Sequence, residues 1–583
     1  MPHSYPSRLM PLSESEIIAD PGYPGWHSGL AVGPRMHTVT RPLGRELEDS
    51  FWILEYRWSY GIRPLGFTVV DDAMNWGLQR GAYETHLPGS NGQDYALAGI
   101  HAYCRELPQF STLEDEAREL RLDAFLPPFL EGFATDWGAT AQTLDARGRA
   151  LCERDLNGLG TPELLEYLED ARLYLRWVWE VHFHWMYPLL VNYLGFTGFC
   201  EELGIAASEV PKFLAGYSSK ITEGDQALFS LAAEARSAGL EVTFKENEAG
   251  AIAAALDKTG SAGSGFQTKL DGFLQAWGWR TENVGDLGIA SWREDPTPVL
   301  GMIRTLLAKD EIPNVATELR HSATARDEAI STARSRLSRS EQESFDEGLQ
   351  ALQSANFIWW NEDHNHYIDM RSTIPMRRAA LALGEALGCA HPDDTTFLFW
   401  PELLAVAEGR SKLGEFTNLT GERRDYFAQW AARRGEMPKY LGPTPEEVTD
   451  PIMIEMDGVT EEFLRVIGSN QSGAESLTGT AGGPGKAQGR AKILLTAEGI
   501  HELAPGDVLV CEGTSPSWTP AFAKIAACVC DTGGSLSHAA VISREYGVPS
   551  VLGTAIATKL IREGDLVEVD GTKGEVRVLE RAA

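Results

Sequence analysis

The sequence contains no run of about 18 apolar residues, so hydropathy offers no transmembrane helix. Its first residues, MPHSYPSRLMPLSESE, include no apolar core of the kind a secretory signal needs, and export is not expected. No two cysteines form a C-x-x-C pair. The seven present (Cys104, Cys152, Cys200, Cys389, Cys511, Cys528 and Cys530) are odd in number and scattered, which reads as reduced thiols in a cytoplasm. Metal ligation by cysteine is therefore not expected. No basic run interrupts a formal net charge of −32, which makes nucleic acid and anionic membrane surfaces poor partners. No short-period repeat and no low-complexity tract appears.

What is present is a chain of 583 residues, 43% hydrophobic and 23% charged, long enough for two or more domains with sizeable cores. The charge is unevenly spread. From Ser476 onward there are 10 Lys+Arg and 12 Asp+Glu, so residues 1–475 carry a net −30. Residues 1–45, rich in Pro, Gly and Ser, read as an extended arm. Residues 46–470 read as a large, mostly α domain. STLEDEAREL opens with a Ser111/Thr112 cap, and Thr161-Pro162-Glu163 is a good helix start. Helical patterns recur at 207–220, 222–237, 248–257, 265–276, 297–309, 312–354, 373–388 and 397–411. The stretch GSNQSGAESLTGTAGGPG collects Gly, Ser and Asn and marks a linker region, and residues 471–583 read as linker followed by short strands alternating with helices in a small α/β domain.

Within that small domain, an apolar run ending at Cys530 leads into Gly533-Gly534, and Ser537 and His538 fall at the start of a helical pattern. Strand, glycine turn and helix start together present unpaired amides to an anion. A neutral imidazole is a competent nucleophile. The residues suit a phosphohistidine site, with His538 as nucleophile and the amides of the Gly533-Gly534 turn and helix start around the phosphoryl group. The string DTGGSLSHAAVISREYGVPSVLG closely resembles the phosphohistidine domain of the PEP-utilising dikinases, a family including phosphoenolpyruvate synthase, rifampicin phosphotransferase and phenylphosphate synthase. The likeness runs over about the last hundred residues, and it implies that Thr532, Gly533, Gly534, Ser537 and Arg544 surround the phosphoryl group.

Two clusters in the large domain combine aromatics with titratable groups. FIWWNEDHNHYIDMR (357–371) resembles the Glu-Asp-His-Asn-x-Tyr-Ile-Asp stretch of rifampicin phosphotransferase-like acceptor domains. It offers His364 or His366 as a general base, His364 being the one that matches the stretch, with Glu362 and Asp363 as partners and His366, Trp359 and Arg371 as candidate substrate contacts. RWVWEVHFHWMYP (176–188) places Arg176, Glu180 and His184 at one-turn intervals, with His182 on another face. His182 and His184, two residues apart on a helix, do not converge, so zinc is not expected there.

The resemblance implies a swivelling phosphohistidine domain serving a helical acceptor domain. The families charge their histidine from ATP with an ATP-grasp domain, and no stretch here resembles its Arg-Ser-Ser and Glu-Asp motifs. ATP, with Mg²⁺, is therefore expected on a separate ATP-grasp subunit. The layout resembles the histidine-carrying subunit of phenylphosphate synthase and the hydroxyacetophenone-phosphorylating dikinases, which implies phosphoryl transfer to a phenolic hydroxyl with release of AMP and phosphate. An antibiotic acceptor of the rifampicin type is the alternative enzyme reading. A phosphocarrier or regulatory module without turnover is the alternative of another class.

Overall fold

The computed structural model describes residues 12–30, 50–107, 111–281, 286–468, 475–515 and 518–582. A large, mostly α domain is followed by a small α/β domain. The core of the first is built on two 42-residue helices, α1 (Thr112–Glu153) and α2 (Thr161–Glu202). Both start where their caps dictate. Ser111 accepts the amide of Glu114, and the Glu163 carboxylate takes back the Gly160 amide at 2.6 Å. One face of α2 is apolar almost throughout, from Leu164 to Phe196, and is buried against the rest of the domain. The helix Asn75–Glu84 crosses it closely because Gly77 and Gly81 have no Cβ. A Cβ on Gly77 would lie 2.7 Å from the Trp179 carbonyl oxygen, and one on Gly81 would lie 2.6 Å from the Phe183 Cβ. Two further helices matter below: α3 (Lys220–Ser237) and α4 (Phe357–Asn365). The helical pattern over 312–354 is realised as two helices, Val315–Ser335 and Arg339–Ser354, because Ser338 forms a capping box with Glu341 between them. Among the described residues no helix is long and apolar enough to cross a membrane.

The aromatic segment after residue 50 folds as a sheet. Strands β1 (Trp52–Leu54), β2 (Gln93–Ala98), β3 (His101–Glu106) and β4 (Tyr440–Leu441) pair antiparallel in the order β2-β3-β1-β4. Nearly every residue of β1 to β3 is buried, so no alternation betrays the strands. Within the proposed N-terminal arm, residues 12–30 include a short helix, Glu14–Ala19. The expected linker falls partly on residues 469–474, outside the described residues.

The small domain is one eight-stranded mixed sheet made of β5 (Ser476–Thr478), β6 (Thr480–Gly483), β7 (Lys486–Leu494), β8 (Val508–Cys511), β9 (Ala527–Cys530), β10 (Ser550–Leu552), β11 (Leu566–Asp570) and β12 (Glu575–Glu580). Its order is β5-β12-β11-β7-β8-β9-β10-β6, with β7 to β10 parallel and the flanking strands antiparallel. Helix α5 (His538–Glu545) follows the central strand β9, and Ser537 caps it through the Ala540 amide.

The two domains meet along a backbone seam. The amides of Gly533, Gly534 and Leu536 donate to the carbonyls of Asp457, Met456 and Glu455 at 2.8, 3.1 and 3.1 Å. Only glycine fits: a Cβ on Gly534 would sit 2.3 Å from the Glu455 carbonyl oxygen, and one on Gly458 would sit 2.5 Å from that of Gly533. A buried ion cluster lies beside the seam. Arg434 reaches Glu512 at 2.6 Å, and Lys439 contacts both Glu512 and Asp531. Burial alone would raise the Glu512 carboxyl, but Arg434 and Lys439 hold it at about 2. Removing one partner of such a cluster strands the others in a dry interface. Glu512→Ala is expected to weaken docking of the small domain by about 3–5 kcal/mol without unfolding either domain. Scattering or interdomain fluorescence transfer would read the undocking. A variant as compact as the parent would show that the ion cluster does not hold the domains together.

Candidate active site

The docked arrangement puts His538 against α4. Its Nδ1 lies 3.5 Å from Glu362 Oε1, with the two side chains 7% and 5% exposed. Neither ring nitrogen of His538, nor either oxygen of Glu362, has a hydrogen-bond partner among the described residues. A buried nucleophile faces a buried carboxylate with their remaining polar capacity unused. Such an arrangement is costly unless a reacting group enters it. Two more carboxylates lie within electrostatic reach. Burial pushes Asp225 of α3 up to about 7, against the pull of Arg280 and with the help of Glu362. Burial, then Glu362 and Asp225, raise Glu545 of α5 to about 8.

Asp225 and Glu545 face each other across a cavity of about 210 Å³ between the domains. Phe229, Val315 and Leu319 line it from the helical side, and Phe522 and Tyr546 from the mobile side. Trp359, expected as a substrate contact, donates its indole N–H to the Ser218 carbonyl at 2.8 Å and borders a narrow gap with Glu362, Val541, Arg544 and Glu545.

A family model described as "PEP-utilising enzyme, mobile domain" matches residues 503–574, and one described as "rifampicin phosphotransferase fourth domain" matches residues 186–362. Through these two regions the chain is similar to PEP-utilising enzymes and rifampicin phosphotransferases. It is 29% identical over 537 residues to chondramide synthase cmdD of Chondromyces crocatus, covering 88% of this chain and 13% of that protein. It is 30% identical over 437 residues to the uncharacterized phosphotransferase YvkC of Bacillus subtilis (72% and 49%). It is 30% identical over 339 residues to the rifampicin phosphotransferase of Bacillus subtilis (55% and 36%). The chain thus spans half or less of the length of these relatives.

The residues expected around a phosphoryl group are otherwise engaged in the docked state. Gly533 and Gly534 give their amides to the seam, and Thr532 Oγ1 donates to the Glu512 carbonyl at 2.8 Å. Arg544 braces the loop by donating to the carbonyls of Gly482 and Ser535 at 3.1 and 2.8 Å. Ser537 donates to the Gly534 carbonyl at 2.9 Å. They shape the turn that carries His538 and do not form an open anion cradle here.

The acceptor-side residues divide by face. Asp363 accepts from the Trp137 indole at 3.1 Å and from the Lys220 amide at 2.9 Å, anchoring the start of α3. His366 accepts from Arg371 at 3.0 Å, and Arg371 also reaches Asp145 at 2.8 Å. Burial and then Arg371 push the His366 imidazole well below its ordinary range. Arg176 and Glu180 form a network with Trp76 and Arg80. The Trp76 indole donates to Glu180 at 2.6 Å, and His184 shares a groove with Glu180. No contact joins any of these groups to His538. His364 faces Asp369 rather than His538, and His182 joins it there, with ring centroids 4.4 Å apart. Asp225 and Glu545 were missed in the sequence because no motif or periodicity singles them out. Docking alone brings them together.

Docking therefore takes up protons. The two carboxyls ionise with values above their free ones of 3.8 and 4.5, so their contribution is fully present below about pH 4. It is lost as pH rises through about 7 for Asp225 and about 8 for Glu545. The docked fraction, read by interdomain fluorescence transfer, is expected to fall across that window, and Asp225→Asn with Glu545→Gln is expected to flatten the curve. An undiminished pH dependence in the double variant would assign it elsewhere.

Proposed function

We propose that this chain is the acceptor-side catalytic subunit of a dikinase-type phosphotransferase. A separate ATP-grasp subunit charges His538. The small domain then docks as seen here and passes the phosphoryl group to a hydroxyl. In the transfer the P–N bond breaks and its electron pair returns to the imidazole. The P–O bond forms, and Glu362 takes the hydroxyl proton. The overall balance is ATP, acceptor and water giving AMP, phosphate and phospho-acceptor. The observation that carries the reading is the pairing of a buried His538 with a buried, unpartnered Glu362 across the domain seam. Mg²⁺ would sit with ATP on the separate ATP-grasp subunit, where it would neutralise phosphate charge. The interdomain cavity is lined by Phe229, Phe522 and Tyr546 but by neither His538 nor Glu362, so the phenolic acceptor rests on the resemblance of the layout to phenylphosphate synthase. The match to a rifampicin phosphotransferase domain favours, as a second reading, an antibiotic hydroxyl.

ATP labelled in the β-phosphate should label His538 only when an ATP-grasp protein is supplied. Label on the chain alone would end the two-subunit reading. His538→Ala should abolish labelling and turnover with the fold intact. Glu362→Gln should leave labelling of His538 unchanged and lower kcat by about 10²–10⁴-fold. Full turnover in that variant would remove Glu362 as the base. Turnover assayed with phenol, hydroxyacetophenones and a rifamycin would separate the two acceptor readings. Stoichiometric charging of His538 without transfer to any hydroxyl would favour a phosphocarrier.

A further inference from the structure

Behind the face of α4 that meets His538, α2 and α4 bring together three groups that phosphoryl transfer does not use. His182 Nδ1 and His364 Nε2 each lie 3.6 Å from Asp369 Oδ1, and the three atoms fall within 4.8 Å of one another. None of the three has a hydrogen-bond partner among the described residues. The two imidazoles are 8% and 2% exposed, while Asp369 keeps 24% of its side chain open to solvent. The orientation of His364 is fixed. Its Nδ1 lies 3.0 Å from the Trp360 carbonyl, which can only accept, so Nδ1 carries the proton and Nε2 presents a lone pair to the cluster. The ring is also stacked on Trp360 at 4.3 Å and 17°. Holding one imidazole nitrogen through a backbone carbonyl is how proteins orient a histidine whose other nitrogen binds metal.

We propose that His182, His364 and Asp369 form a binding site for one divalent transition-metal ion. A separation of 3.6 Å is too long for a hydrogen bond, whose limit is about 3.2 Å. It suits two atoms that each sit about 2.0–2.2 Å from a shared ion at a roughly tetrahedral angle. Two imidazoles and one carboxylate select zinc- or cobalt-like ions over Mg²⁺ and Ca²⁺, which prefer oxygen alone. Trp179, Phe183 and Trp360 wall the two histidines, and Asp369 is the open side through which an ion enters. Bound there, the ion ties α2 to α4 and to the turn after it, and so holds the helix that carries Glu362. The site does not depend on the reaction proposed above. Nor does it involve Cys511, Cys528 and Cys530, whose sulfurs lie 3.5–3.6 Å apart in the small domain's sheet.

The test is Co²⁺ added to the full chain after chelator treatment, followed by visible ligand-field absorption, calorimetric stoichiometry and thermal unfolding. One ion per chain is expected, with a raised Tm. His364→Ala and the near-isosteric Asp369→Asn should each weaken binding by about 100-fold or more, beyond the 10–100-fold that follows loss of a merely orienting neighbour. Circular dichroism confirms that each variant is folded, and Asp369→Asn decides the matter if His364→Ala is not. Cys511→Ser with Cys528→Ser should bind as the parent does. The proposal is overturned by no uptake at millimolar Co²⁺, by a thiolate-to-cobalt charge-transfer band, or by unchanged affinity in Asp369→Asn.

Discussion

Three backbone hydrogen bonds, from Gly533, Gly534 and Leu536 to the carbonyls of residues 455–457, decide where His538 sits. They hold the glycine turn of the small domain against the large one at a distance no side chain would permit, and helix α5 leaves that turn directly toward α4. The consequence is local. A nucleophile and a carboxylate on different domains meet in a site with little solvent, where charge interactions are far stronger than in water. The seam uses main-chain atoms, so it specifies a register as well as an affinity, much as an added strand does on a sheet edge. In the docked state the amides of the glycine turn belong to the seam.

The acidity of the large domain acquires a meaning in this setting. A net charge near −30 over residues 1–475 opposes the approach of a phosphorylated histidine. The interface answers with local cations, Arg434 and Lys439, which are neutralised by Glu512 and Asp531 of the incoming domain. The carboxyls nearest His538 respond differently. Asp225 and Glu545 rise toward neutral pH because burial and Glu362 disfavour further negative charge. One charged cluster fixes the dock, while the other carboxyls lose charge so that the site can close.

How far this was legible varies from element to element, and the reasons are physical. His538 was legible because a nucleophile at a helix start needs a particular run of glycine, cap and small residues, which is written contiguously. Glu362 was legible as part of a likewise contiguous string. The helices were legible from their caps and apolar periodicity, and α1 and α2 begin where Ser111 and Thr161-Pro162 say. The sheet β1-β4 was not, since strands buried on both faces lose the alternation that reveals them. The seam was not, because carbonyl oxygens have no residue identity, although Gly458 and Gly534 mark where the two backbones approach. Reading α4 as a single face was the larger difficulty. Glu362 and His364, two residues apart, project from different sides of the helix, so one string of residues serves two separate places.

That division explains why His364, the base expected from the sequence, does not approach His538. A helix carries side chains two positions apart roughly 200° around its axis. Once Glu362 meets the mobile domain, His364 must face inward, toward α2. There it finds His182, itself two positions from His184, and the same geometry sends His184 outward to the groove with Glu180. Each helix therefore contributes one histidine to a common interior point, and Asp369 from the turn after α4 completes it. The sequence argument that His182 and His184 cannot share a metal was sound for one helix. It did not extend to two, because convergence between helices depends on their crossing, which α2 and α4 set through apolar packing far from any of these polar groups.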